Sequence, residues 1–163
     1  RVLHVFMEMT KGTVSFYGPT RRELGIKTTF GLINEERRRG RYRIGEGITG
    51  KVMKRGLPMV GHDIIKEPHL LNKTRARQAR DLQGTILMCL PMRIRGEVLG
   101  VLSGERPSHD TRATVEEELR VLTIIASLIG HAVRLRQEST RNLHTLDDWE
   151  GLRELERELL TVS

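Results

Sequence analysis

The residues best placed to do chemistry begin with a glycine-rich string, Ile44-Gly45-Glu46-Gly47-Ile48-Thr49-Gly50. Backbone donors gathered at a helix N-terminus attract anions, so a turn of this kind can cradle a phosphate. This one lacks the adjoining Lys-Ser/Thr pair, and no buried strand leads into it. The glycines then serve tight backbone geometry with Thr49 as an N-cap-like residue, or the turn borders a pocket. The side chains that could hold a metal are His62, Asp63, His69 and Cys89. Zinc or non-haem iron needs three or four such ligands converging at about 2 Å, and this spacing matches no ligand pattern. Cys89 stands in an apolar run, where a lone cysteine behaves as a small hydrophobe. The remaining histidines, His4, His109, His131 and His144, are scattered.

Nucleophilic catalysis finds no support, because no serine sits in an elbow motif and no Cys-His arrangement is present. The triplet Glu116-Glu117-Glu118 opens a helical pattern, where carboxylates complement the macrodipole. The run Arg37-Arg38-Arg39-Gly40-Arg41 reads as a solvated loop in preference to a docking patch. No catalytic residue, metal site or cofactor is therefore assigned, and the chain is expected not to be an enzyme.

The elements that must position these residues follow from periodicity. Val2, Val5, Phe6 and Met9 have helical spacing, ending at Thr10-Lys11-Gly12. Residues 13–17 and 23–30 read as two strands around a Gly18-Pro19-Thr20 break, and 33–43 as a polar loop. The glycine turn feeds a short helix carrying Ile48, Val52 and Met53, and a short strand follows at 57–60. Residues 61–83, with Pro68 and the bases Lys66, Lys73, Arg75, Arg77 and Arg80, form a long excursion with a helical stretch, and long ordered loops are usually functional. Strands at 85–94 and 97–105 meet at an Arg95-Gly96 corner. The run Ile86-Leu87-Met88-Cys89-Leu90 places the first of them centrally in a sheet. A long helix covers 114–137, with Thr114 and Glu117 as a capping box, and after a polar interval a second, shorter helix covers 148–160.

At 163 residues, 37% hydrophobic and 30% charged, the chain can build one ordinary core with an appendage. No apolar run approaches the roughly 20 residues of a spanning helix, so no membrane role is expected. It opens on Arg-Val-Leu-His with no visible targeting segment, which suggests a cut within a longer protein, and its single cysteine excludes an internal disulfide. A cytoplasmic location is the expectation. The net charge of +7 invites a nucleic-acid reading, but aromatics at 4% are too few for a stacking platform.

Three strings, RGRYRIGEGITGKV at 39–52, DIIKEPHLLNKTRAR at 63–77 and LRVLTIIASLIGHAV at 119–133, together with the element order, resemble the amino-terminal GAF domain of NifA-type, sigma-54-dependent activators of nitrogen fixation. The resemblance implies an α+β fold: a central antiparallel sheet of about five to six strands, flanking helices and a long terminal helix. It implies a GAF sensory domain over 1–137, followed by a connector and short helix over 138–163. It also implies a regulatory sensor controlling an adjacent AAA+ ATPase module in a transcriptional activator. The signal would be a small metabolite such as 2-oxoglutarate, or a PII-type or antiactivator protein. Two alternatives stand beside it: a non-haem iron or nitric-oxide sensor of the same fold, and a basic nucleic-acid-binding module. In this fold the pocket lies between the sheet and the excursion. Phe30, Met88 and Cys89 are then its expected walls, Thr49 borders it, and Asp63, Asn72 and Arg75 supply polar contacts. Arg75 is the expected partner of a carboxylate, because its planar fork matches one. Leu128 and Leu135 lie off the buried stripe of the long helix and are expected at a homodimer interface.

Overall fold

The computed structural model describes residues 8–18, 20–78, 83–108 and 114–160, the last twenty of these as backbone alone. The helix expected over residues 1–9 thus falls mainly outside the described residues, as do His4, Arg80 and His109. Six strands form one antiparallel sheet: β1 (Lys11–Tyr17), β2 (Glu23–Phe30), β3 (Arg41–Arg43), β4 (Met59–Gly61), β5 (Thr85–Ile94) and β6 (Glu97–Pro107). Their order is β3-β2-β1-β6-β5-β4, so β2, β1, β6 and β5 are interior and β3 and β4 are edges. The helices are α1 (Asn34–Arg39), α2 (Gly47–Arg55) and α3 (Val115–Leu160). Gly130 closes one compact unit and His131 begins a second.

Both faces of the sheet are covered, which explains the unbroken apolar run in β5. Ile86, Met88, Leu90 and Met92 join Leu122 and Ala126 of α3 in one buried cluster. Leu87 and Cys89, one residue out of phase, join Ile48, Val52 and Met53 of α2 in the other. The β5–β6 corner has positive φ at both Arg95 (51°) and Gly96 (85°), the pair of values that matches a two-residue turn to the twist of the strands. Met9 is fully buried against Gly104, where a Cβ would stand 2.3 Å from its sulfur. Among the described residues no helix is long and apolar enough to cross a membrane.

Three expectations are corrected. Residues 33–43 are α1 and β3 instead of a loop. Helix α1 buries nothing, so it has no apolar stripe to detect. It is held by polar terms: Glu36 accepts from the Ile33 amide at 2.9 Å, and Arg39 pairs with Glu35 one turn away at 2.5 Å. Among its described residues the excursion forms a 3₁₀ turn at Ile64–Lys66. Asn72 diverts the later part, donating to the Arg77 carbonyl at 2.8 Å and accepting from its amide at 3.4 Å. The strand expected at 57–60 is shifted to Met59–Gly61. Finally, α3 is one helix of 46 residues, with no polar break. Residues 131–150 contain neither Gly nor Pro, and loss of an apolar stripe does not end a helix.

The start of α3 is fixed at two levels. Thr114 Oγ1 accepts from the Glu117 amide at 3.2 Å while Glu117 accepts from the Thr114 amide at 2.9 Å, the expected capping box. Deeper, Arg106 of β6 places Nε 2.7 and 2.8 Å from the two oxygens of Glu118, with side chains 3% and 5% exposed. Breaking such a pair leaves one charge buried and unpaired, which costs about 3–5 kcal/mol, whereas an apolar pair of similar volume is near neutral. Glu118→Ala should therefore lower the unfolding free energy by about that amount in urea titration, and Arg106→Met with Glu118→Leu should recover most of it. Equal losses in the single and double variants would refute this account.

Candidate functional site

Strands β1, β6 and β5 turn a partly polar face toward α2. Thr13, Ser103 and Glu105 project there beside Leu87 and Cys89, and residues 70–77 cross over them as a strap. Between strap and sheet lies a cavity of about 30 Å³, also lined by Lys11, Tyr42, Thr49 and Arg77. That volume accommodates about two waters.

The strap is pinned by polar groups from several elements. Lys11 of β1 donates to the Ala76 carbonyl at 2.9 Å, and Arg39 of α1 donates to the Thr74 carbonyl at 3.1 Å. Lys73 meets Glu46 at 2.6 Å, and this hydrogen bond holds the Glu46 carboxyl below its usual range. The fourth and most buried pin is Arg77, whose Nε donates to Glu105 at 3.0 Å and whose Nη2 donates to the same oxygen. Their side chains are 11% and 9% exposed. Burial disfavours the charge of Arg77, but the Glu105 carboxylate outweighs this and the guanidinium is held above its ordinary value. Its Nη1 is buried without a hydrogen-bond partner among the described residues.

Gly47 closes one corner of the site. Its φ is +61°, and a Cβ there would stand 2.8 Å from Leu71 of the strap, so the glycine turn lets the strap seat closely. The turn thus borders the pocket. Thr49 lies inside the first turn of α2, whose N-cap is Glu46, and so it lines the cavity instead of capping the helix.

Of the other residues expected at the pocket, Cys89 lines the cavity, whereas Met88 and Phe30 pack in the cluster on the opposite face. The period of two in a strand separates Met88 from Cys89. Asp63 precedes the 3₁₀ turn and pairs with Lys66 at 3.1 Å, away from the cavity. Asn72 is exposed and braces the backbone of Arg77. Arg75 is exposed, with φ of +57°, and does not line the cavity. Arg77 and Glu105 were not singled out by spacing. The available signal was Ser103 and Glu105 standing in phase with the apolar Leu99 and Val101 on one strand. Among the described residues no group of three or more His, Cys, Asp or Glu is arranged to hold a metal ion.

A family model described as "GAF domain" matches residues 3–133. The Nif-specific regulatory protein of Herbaspirillum seropedicae is 38% identical over 137 residues, covering 84% of this chain and 25% of that protein. The nitrogen fixation protein AnfA of Azotobacter vinelandii is 30% identical over 158 residues, 90% of this chain and 29% of that protein. The chain spans about a quarter of the length of these curated relatives. Among solved structures, the A. aeolicus nlh2 GAF domain in an inactive state superposes with a TM-score of 0.69 at 24% identity, over 83% of this chain and 80% of that one. The free methionine-R-sulfoxide reductase of Neisseria meningitidis, in complex with its substrate, gives 0.62 at 18%, over 80% and 70%. At these identities the structural likeness shows the fold alone.

Burial pushes the Cys89 thiol and the Tyr42 phenol each up to about 12, from 9.0 and 10.0. Both raised values favour the protonated, folded form. Their contribution to stability is complete below pH 9 and is lost as the pH rises toward about 12. The urea midpoint should fall over that window, and Tyr42→Phe combined with Cys89→Ala should flatten the fall. An unchanged slope in the double variant would show that other groups govern alkaline unfolding.

Proposed function

The chain belongs to the GAF domain family, and on that premise we propose that it is the sensory domain of a larger nitrogen-fixation activator, reading a small dicarboxylate such as 2-oxoglutarate in the pocket around Arg77. The names of the curated relatives support the regulatory context, and the small fraction of their length that the chain spans leaves room for an adjacent AAA+ module. In this reading the domain is cytoplasmic and non-catalytic, and it passes its state to that module, alone or with a PII-type or antiactivator protein.

One observation carries the ligand assignment: the buried, unpaired Nη1 of Arg77 at the cavity wall. With Nε and Nη2 engaged by Glu105, Nη1 remains as a charge-assisted donor for a carboxylate. Arg77 thereby takes the part expected of Arg75. A carboxylate at Nη1 would be flanked by the Thr13 and Ser103 hydroxyls, themselves 2.6 Å apart, and by Thr49. Because the closed cavity is far smaller than any dicarboxylate, binding requires the strap to lift, which changes its contacts with β1, α1 and α2. The domain also works as a homodimer in this proposal. Val121, Ile124, Leu128 and Leu135 are 45–65% exposed and fall at steps of three, four and seven residues along α3, the seam of a two-helix coiled coil.

Calorimetry with 2-oxoglutarate tests the pocket. Arg77→Met combined with Glu105→Gln, which avoids stranding a buried carboxylate, should weaken binding at least about tenfold, or roughly 1.4 kcal/mol. Arg75→Ala should leave it unchanged. Full affinity in the first variant removes Arg77 from the site, and no binding of any dicarboxylate to the parent points to a protein as the signal. Separately, Leu128→Glu or Leu135→Glu should convert a dimer to a monomer in sedimentation equilibrium. A parent chain that sediments as a monomer at tens of micromolar would rule out this interface.

A further inference from the structure

The net charge of the chain is not spread evenly. Residues 21–43 hold eight Arg or Lys and three Glu, a surplus of five positive charges out of the chain's seven. The fold folds this segment back on itself: β2 and the edge strand β3 pair directly, and α1 packs against β2 between them. The result is a surface groove of about 170 Å³ whose walls include Lys27, Arg37, Arg38 and Arg41. Gly25 lies at its floor, where a Cβ would meet nothing within 4 Å. Arg41 is held by Glu23 at 2.9 Å and Arg37 donates to the Lys27 carbonyl at 3.1 Å. Lys27 and Arg38 are exposed and make no ion pair with any described residue. Like charges have thus been gathered around an open floor at a repulsive cost, with two cations left for a partner.

We propose that this groove docks an acidic stretch of a partner polypeptide, with carboxylate side chains entering between α1 and β3. Several features favour a protein over a nucleic acid. Glu23 and Glu35 stand among the bases and fix Arg41 and Arg39, so a continuous line of phosphates would meet carboxylates as well as cations. The groove is of side-chain size and admits single carboxylates, not a duplex. Stacking is also unsupported, since Tyr42 of β3 is only 7% exposed and turned into the core. The docking surface shares α1 with the pocket, because Arg39 on that helix holds the Thr74 carbonyl of the strap. A partner on α1 is therefore one residue from a pin of the pocket. The inference stands apart from the ligand reading, since it needs no occupant beneath the strap.

The test is fluorescence anisotropy with a labelled dodecapeptide of repeating Glu-Ala-Asp-Gly, titrated with the chain at low ionic strength. The parent should bind, with affinity falling as salt is raised. Lys27→Glu with Arg38→Glu should weaken binding at least about tenfold, which is roughly 1.4 kcal/mol. Arg55→Glu with Arg136→Glu, the same change in net charge on exposed sites elsewhere, should weaken it far less. Helix α1 buries no residue, so the groove variants should fold, and circular dichroism checks this. Lys27→Glu alone, outside α1, gives an independent reading in the same direction. Equal loss in the groove and control variants would reduce the effect to bulk charge and overturn the proposal. So would absence of peptide binding, or displacement of the peptide by a lower concentration of duplex DNA.

Discussion

Glu105 and Arg106 are consecutive residues of a central strand, and each buries its charge on a different face of the sheet. The organisation of the molecule depends on that adjacency. Moving an isolated ion from water into a protein interior costs several kcal/mol even after relaxation, so each must find a counter-charge. Glu105 finds it in Arg77 of the strap, and Arg106 in Glu118 at the beginning of α3. Two segments far apart in sequence are thereby brought to one point on β6, one on each face. The apolar clusters supply most of the driving force for folding, but apolar contact is tolerant of sliding. A buried ion pair is not tolerant, because a small displacement strands both charges. The pairs therefore fix where the strap and the helix sit.

This arrangement also explains how much was legible in the sequence. Strands β1, β2, β5 and β6, the β5–β6 corner and the onset of α3 all carry local signatures: alternation or an apolar run, an Arg95-Gly96 turn pair, and a Thr114–Glu117 box. Each is decided by residues within a few positions of one another. Helix α1 was hidden because a helix with no buried residue leaves no periodic trace, and the length of α3 was hidden for a related reason. Beyond the sheet-covering turns its residues obey helix propensity alone, and a polar stretch does not interrupt a helix.

The site was the least legible part. The resemblance to GAF domains puts Thr49 and Cys89 near the pocket, yet Met88, one residue from Cys89, faces the other way. Which of Arg75 and Arg77 turns inward is decided by a local event that composition does not register. Asn72 bonds both backbone groups of Arg77, Arg75 takes a left-handed conformation, and the chain reverses so that Arg77 enters the core. Glu105 then makes the inward position tenable. Neither half of the pair is conspicuous alone: one is among many bases, and the other lies near the end of a strand.

The small volume beneath the strap has a thermodynamic meaning of its own. When the binding-competent form is a minor population, the observed dissociation constant equals the intrinsic one divided by the fraction of open molecules. If a ligand enters beneath the strap as proposed, the pins at Arg39 and Lys73, neither of which lines the cavity, would set that fraction. The concentration at which such a proposed sensor responds would then be adjustable by residues outside the cavity wall. Related domains with identical pockets would answer to different metabolite levels simply by exchanging a surface lysine or arginine, so their set points would diverge while their specificity stayed the same.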